Sequence, residues 1–265
     1  MSDHSDPGDR RRGRLTDSPR NTAMAVLLAV GLALVLGGAL TSAASGLGHR
    51  WGWWGIGTGF SVLRWGVYVV LAGMAVSAVG LVTAALLIRR WLVVAALPAL
   101  VIGAAVIAPP LIHMQRSMEA PPIHDISTDL DDPPAFVALS DAREAAPNAV
   151  EHPGERVAQQ QNAAYPGITT VRVDAEPEVV FEVAEALARD QGWRVVEANP
   201  VEGRIEAIDR TFWFGFRDDV VIRITGPEDG MTLIDMRSAS RVGQSDLGTN
   251  ARRVRNFLTQ LQDRL

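Results

Sequence analysis

The sequence predicts a multi-pass membrane section of three transmembrane α-helices followed by an α+β domain. The domain is expected to hold an antiparallel sheet in the order β-α-β-β-β-β-α, with two helices on one face. Three observations predict this. Residues 23–112 of the 265 carry only four charges, Arg50, Arg64, Arg89 and Arg90, and no acid. Residues 113–265 carry 16 Arg against 26 Asp plus Glu, a net charge of about −10. From Tyr165 onward apolar residues alternate as in strands or recur as in amphipathic helices. The split also explains a mean hydropathy of +0.11, high for a wholly water-soluble chain.

The first element is a tail, residues 1–22, with five Arg and four Asp. It reads as a disordered cytoplasmic segment. Three apolar runs follow, at about 23–44, 65–88 and 91–112. Each exceeds the roughly 20 residues that a helix needs to cross about 30 Å of hydrocarbon. Arg10, Arg11, Arg12, Arg14 and Arg20 precede the first run, and Arg89 and Arg90 separate the second from the third. Positive residues favour the cytoplasmic side. Three crossings then place the C-terminal domain in the periplasm of a cell inner membrane. The loop Trp51-Gly52-Trp53-Trp54 reads as an aromatic belt at the outer interface. A cleaved signal peptide ending near Thr41-Ser42-Ala43-Ala44-Ser45 is the rival for the first run, which is longer than the usual core of about 7–15 residues. The spans hold no ionisable residue that would mark a transport path. Gly31, Gly37, Gly38, Gly73 and Gly80 permit close helix packing, and Pro98 is a kink position. The plain role is an anchor.

Pro109-Pro110 and Pro121-Pro122 mark the exit from the membrane. Residues 113–164 form a Pro/Asp-rich arm of weak periodicity, with a short helix expected over 154–164. Residues 165–265 form the periplasmic α+β domain. Ile168 to Val173 alternates as a strand, and Pro177 opens a helix with Val180, Val183, Ala184, Leu187 and Ala188 on its apolar face. Strands follow over 193–197, 204–211, 216–225 and 232–240, with a hairpin loop over 227–230. In the third of these, Val220, Ile222 and Ile224 face in while Val221, Arg223 and Thr225 face out. A last helix is capped by Ser245 or Asp246 and carries the stripe Leu247, Ala251, Val254, Leu258, Leu261 and Leu265.

Composition excludes several chemistries. With no Cys there are no disulfides, thiolate nucleophiles or thiolate metal sites. All 25 basic residues are Arg, so Schiff-base chemistry and a P-loop lysine are excluded. An acidic domain argues against nucleic acid. Of the five histidines, His4, His49, His113, His124 and His152, only the last two could serve a soluble site. No nucleophile–base motif accompanies them, and no cofactor is implied.

Three candidate sites remain. Arg237, Ser240, Arg241, Ser245, Asp246 and Asn250 gather at a strand-to-helix turn, where a helix N-terminus beside two Arg can hold an anion. This reading fails if Arg237 and Arg241 are both paired to acids such as Asp218, Asp219 or Asp235. Trp213, Phe214 and Phe216 form an apolar pocket, a membrane-facing surface, or simply core. His124 with Asp125 and Asp129, near Asp131 and Asp132, offers a metal set, against a plain turn or clasp. Arg252, Arg253 and Arg255 read as the wet side of the last helix.

Three stretches carry a resemblance. They are Pro121-Pro122-Ile123-His124-Asp125-Ile126-Ser127-Thr128-Asp129; Gly203-Arg204-Ile205-Glu206-Ala207 continuing into Trp213-Phe214-Gly215-Phe216-Arg217-Asp218-Asp219-Val220-Val221-Ile222-Arg223; and 237–250 with Ser240-Arg241-Val242-Gly243 and Ser245-Asp246-Leu247-Gly248. Over about 119–265 the chain resembles a bacterial family named only as domain of unknown function 1499. Its members often carry a small helical membrane section before the domain. The resemblance implies that the arm 121–164 packs on the domain, and it implies no activity. The strand order is also similar to the helix-grip modules of an outer-membrane assembly lipoprotein, a likeness of architecture alone. The expected function is a non-enzymatic periplasmic binding or envelope-assembly module on an inner-membrane anchor. Its expected partner is an envelope protein or a lipid-like molecule. The alternative is a metal-dependent or hydrolytic enzyme built on His124 and its neighbouring Asp residues.

Overall fold

The computed structural model describes residues 19–265, which divide into two compact units after Ile112. Residues 1–18 of the expected tail lie outside the described residues. In the first unit α1 (Pro19–Arg50), α2 (Ile56–Leu86) and the start of α3 (Arg90–Glu119) are long and apolar enough to cross a membrane. The first two helices run further than expected, so the anticipated loop shrinks to residues 51–55. Trp54 packs back on the last turns of α1. Its indole N–H donates to the Ser45 carbonyl at 2.9 Å, and its ring covers Gly48 so closely that a Cβ there would sit 2.1 Å away. Pro98, Pro109 and Pro110 all lie inside α3, so the proline pair costs backbone bonds without ending the helix.

α1 and α2 pack antiparallel along small residues that recur every seven positions. Buried positions are Gly31, Gly38 and Ser45 with Leu28, Val35 and Ser42 on α1, and Gly59, Gly66, Gly73 and Gly80 with Val70, Ser77 and Ala84 on α2. A strict heptad keeps one seam in contact along both helices. A Cβ on Gly38 would lie 2.7 Å from the Gly66 carbonyl, and one on Gly73 2.7 Å from that of Gly31. Gly37, expected to join this packing, meets nothing within 4 Å. It lies one residue off the seam.

The second unit holds β1 (Asp125–Ser127), α4 (Ser140–Glu144), α5 (Glu155–Ala164), β2 (Val171–Val173), α6 (Pro177–Asp190), β3 (Arg194–Asn199), β4 (Arg204–Arg210), β5 (Arg217–Glu228), β6 (Met231–Ser240) and α7 (Thr249–Arg264). From β2 onward this is the predicted β-α-β-β-β-β-α order. The six-stranded antiparallel sheet runs β1-β6-β5-β4-β3, and β2 also pairs with β6. The arm therefore contributes a strand of its own. β5 extends through Glu228, and the hairpin narrows to Asp229 and Gly230, both at positive φ, as a two-residue turn requires.

α6 and α7 cover one face. Val180, Phe181, Ala184 and Leu187 join Val254, Phe257, Leu258 and Leu261 over Ile205, Val220, Ile222, Ile234 and Met236. Trp193 stacks on Phe257 at 5.1 Å. Leu265 ends the expected stripe exposed, and Phe257 fills the core instead. The opposite face differs from expectation. Val221, expected to face out, is fully buried under Phe136 and Leu139, beside Ile208 and Ala239. Alternation separates two faces; it does not say that the arm covers the second.

Candidate functional site

Charged side chains on that second face come from successive strands, because strand pairing sets Asp125 and Asp219 beside Ala239, and Arg237 beside Ser127 and Val221. Arg237 donates to Asp125 from Nε and Nη2 at 3.0 and 2.8 Å, and Nη2 also reaches the Val150 carbonyl at 2.8 Å. Arg241 forks onto Asp219, with its closest contact at 2.8 Å. Arg143, from α4, is fully buried and donates to Asp219 and the Ala239 carbonyl at 3.1 Å each and to the Ala149 carbonyl at 2.7 Å. The guanidiniums of Arg143 and Arg237 lie 4.7 and 4.8 Å from the Phe136 ring centre. Burial pulls the Arg143 guanidinium below its ordinary pKa, and Asp219 opposes that shift.

Glu206 is a buried carboxylate held by the arm's backbone. It accepts from the N–H groups of Val137, Ala138 and Leu139 at 2.8, 3.0 and 2.9 Å, with Arg204 at 3.1 Å. Asp235 accepts from the hydroxyls of Thr128 and Thr170 at 2.8 and 2.6 Å, and from Arg223 at 3.1 Å. Arg223 also holds Asp129 and Asp132. Asp129 in turn accepts from the backbone N–H groups of Asp131 and Asp132 at 3.0 and 2.9 Å, the local turn that Asp-rich segments favour.

A second polar group sits on the helix face. The Asn250 amide donates to the His124 carbonyl and the Ser240 hydroxyl, and accepts from Ser238 and Arg253. Arg253 donates to Asp218 and Asp209 at 2.6 and 2.7 Å. Expected on the wet side of α7, it is instead buried. The two acids hold it there and raise its pKa against the effect of burial. The N-cap of α7 is Gly248, later than the expected Ser245 or Asp246; Asp246 still accepts from Gly248 and Asn250 N–H at the start of the helix, while burial lifts its carboxyl above the ordinary value.

The six residues expected around an anion are thus divided. Arg237 and Arg241 lie on the arm face, committed to Asp125 and Asp219. Ser240, Asp246 and Asn250 serve the helix face, and the Ser245 hydroxyl accepts from Leu247 N–H. The paired-arginine condition that defeats the anion reading is met. His124, Asp125 and Asp129 are not brought together either, since both carboxylates belong to arginines. No group of three metal-binding side chains converges among the described residues. His124 is half-buried, and its Nδ1 has no hydrogen-bond partner among them. It lines a cavity of about 370 Å³ with Pro122, Pro153 and Arg156. His152 Nδ1 accepts from Gly154 N–H at 3.2 Å, and burial lowers the pKa of its ring. Phe214 is buried, stacked on Phe216 at 5.3 Å and edge-on to Trp213 at 5.0 Å. Phe212, not singled out from the sequence, is 84% exposed.

Sequence reasoning missed Arg143, Phe136 and Glu206. The first two lie in the weakly periodic arm. The third occupies an outward-reading strand position between Ile205 and Ala207. It also missed the contrast between the sheet edges. On the β6 side the sheet ends in two three-residue strands, and the Gln161 side chain caps β1. Its amide accepts from Ser127 N–H at 3.0 Å and donates to the Ser127 carbonyl at 2.6 Å. On the other side β3 ends the sheet with six residues and no strand beyond it among the described residues. A groove of about 510 Å³ lies between β3 and α6, with Phe181, Val195 and Ala198 at its floor and Glu182, Glu185 and Arg189 along α6. The model of a family described as protein of unknown function (DUF1499) matches residues 125–261, from β1 into α7. No curated protein matches the chain.

Proposed function

Since the chain belongs to the DUF1499 family, whose description names no activity, we propose on the evidence of its surface that it is an inner-membrane protein presenting a non-enzymatic binding or envelope-assembly module to the periplasm. The open β3 edge beside the α6 groove carries this reading. An uncovered edge is a row of backbone donors and acceptors able to pair with another chain, and proteins ordinarily blunt or cover such edges. Here the β6 side ends in short strands and a side-chain cap, while β3 is uncovered among the described residues and guarded only by a bulge and charged side chains. The arginine distribution supports the membrane side, because the basic clusters flank α1 and the α2–α3 turn.

The test is a photo-reactive residue at Val196, on β3 and 39% exposed, with a control at Val137 on the arm, 51% exposed. In cells making the full-length protein, a discrete adduct at 196 and none at 137 is expected. Equal yields at both positions would sink the reading.

A further inference from the structure

We infer that the β3 edge takes an extended protein segment with basic side chains at alternate positions, laid beside β3 with those side chains in the α6 groove. This rests on the docking role proposed above and adds the chemistry of the occupant. The groove floor is apolar, made by Phe181, Val195 and Ala198, and its α6 wall carries Glu182 and Glu185 against one cation, Arg189, so acid is in excess there. Strand pairing puts Val195 beside Ala207 and Ala198 beside Ile205, both on the helix face. Alternate residues of an added strand would share that face, next to Val195 and Ala198 and below the two glutamates. Arg or Lys suits such a place: its stem covers apolar floor while its charged end reaches the acidic wall.

The local ion pairs leave room for this. Glu185 holds Arg189 at 2.5 Å, but that arginine is 60% exposed, and surface pairs of this kind exchange at little cost. Glu182 has no ion-pair partner among the described residues. The edge also discriminates. The register shifts between Val195 and Glu197, so Val196 is a bulge residue and Arg194 and Glu197 fall on the same face. A bulge and charges oppose indiscriminate edge-to-edge stacking while leaving a charge-matched segment free to pair.

The chain has no cysteine, so Val196→Cys supplies a unique thiol, and Val137→Cys supplies the control. The probe is an end-capped peptide, Arg-Thr-Arg-Cys-Arg-Thr-Arg, its cysteine activated as a mixed disulfide. A second peptide replaces each Arg with Glu. Full-length protein in detergent is reacted with each, and rates are normalised to a small neutral disulfide. The Arg peptide is expected to react at least about tenfold faster at position 196 than at 137, and adding Glu182→Gln and Glu185→Gln should remove about tenfold. If both peptides prefer 196 equally, or the double variant changes nothing, the basic-segment inference is overturned and edge docking stands. If neither peptide prefers 196 over 137, the docking reading falls as well.

Discussion

Arg143 shows how the arm is tied to the sheet. One buried guanidinium reaches a β5 carboxylate, a β6 carbonyl and the arm's own Ala149 carbonyl, and stacks on Phe136. Breaking a buried pair by removing one partner typically costs about 3–5 kcal/mol. Asp219 keeps its fork to Arg241, so Arg143→Ala belongs at the low end, about 3 kcal/mol. Arg237→Ala should cost more, because buried Asp125 would lose its ion-pair partner and both of that partner's hydrogen bonds. Arg143→Lys does not rescue, since an ammonium cannot span Asp219 and Ala149 as a planar fork does. As a contrast, Arg264→Ala removes an exposed pair with Asp190 and should cost under about 1 kcal/mol. Denaturant unfolding of the full-length protein in detergent, followed by near-UV circular dichroism, checks the series. A neutral Arg143→Ala would mean that the arm is held by its apolar contacts alone.

At the scale of elements, the legible features are those whose signal is local. The apolar spans, α6, α7 and strands β3 to β6 each carry their own period, and Asp246 lies within four residues of the N–H groups it accepts from. β1 is three residues long and gains its meaning from Arg237, 112 positions away. Glu206 likewise meets N–H groups 67 to 69 positions away. No window of neighbouring residues contains such information, so the arm's strand and the particular acids that hold the candidate arginines were not legible; the packing of the arm on the domain was implied by the family resemblance alone, and pairing of Arg237 and Arg241 to acids stood as the alternative to an anion site. The membrane hairpin lies between these cases. Its seven-residue spacing of small residues is visible in the chain, but only packing separates Gly38 on the seam from Gly37 beside it. Gly38→Leu should force α1 and α2 apart and cost about 1–3 kcal/mol, as overpacking does. Gly37→Leu should stay within about 0.5 kcal/mol. Thermal unfolding of the two variants in the same detergent separates them, and equal losses would refute the assignment of the seam.

For the whole molecule the decisive property is sidedness, and it rests on where the arginines fall. Arg89 lies in the turn between α2 and α3 and Arg90 opens α3, and the opposite turn, residues 51–55, carries exposed Trp51 and Trp53 with rings 5.0 Å apart. Basic residues favour the cytoplasmic side because translocating them is costly, whereas tryptophan favours either interface. On the proposed orientation the arginines set the direction and the tryptophans only mark depth. An odd number of spans then sends the two ends of the chain to opposite sides. Val201, 94% exposed in the β3–β4 turn, reports the position of the domain once it is changed to cysteine, and Ser2→Cys reports the N-terminus. In cells with a permeabilised outer membrane, a membrane-impermeant maleimide should modify the thiol at position 201 at once. The thiol at position 2 should react only after the inner membrane is lysed. The reverse pattern would place the domain and its open edge in the cytoplasm, beyond reach of any envelope partner. The β3 chemistry would then have to be matched to a cytoplasmic segment instead. Modification of both thiols before lysis would mean an even number of spans. A mature protein that lacks the thiol at position 2 altogether, with position 201 still labelled at once, would show that the first apolar run is a cleaved leader and leave the sidedness of the domain unchanged.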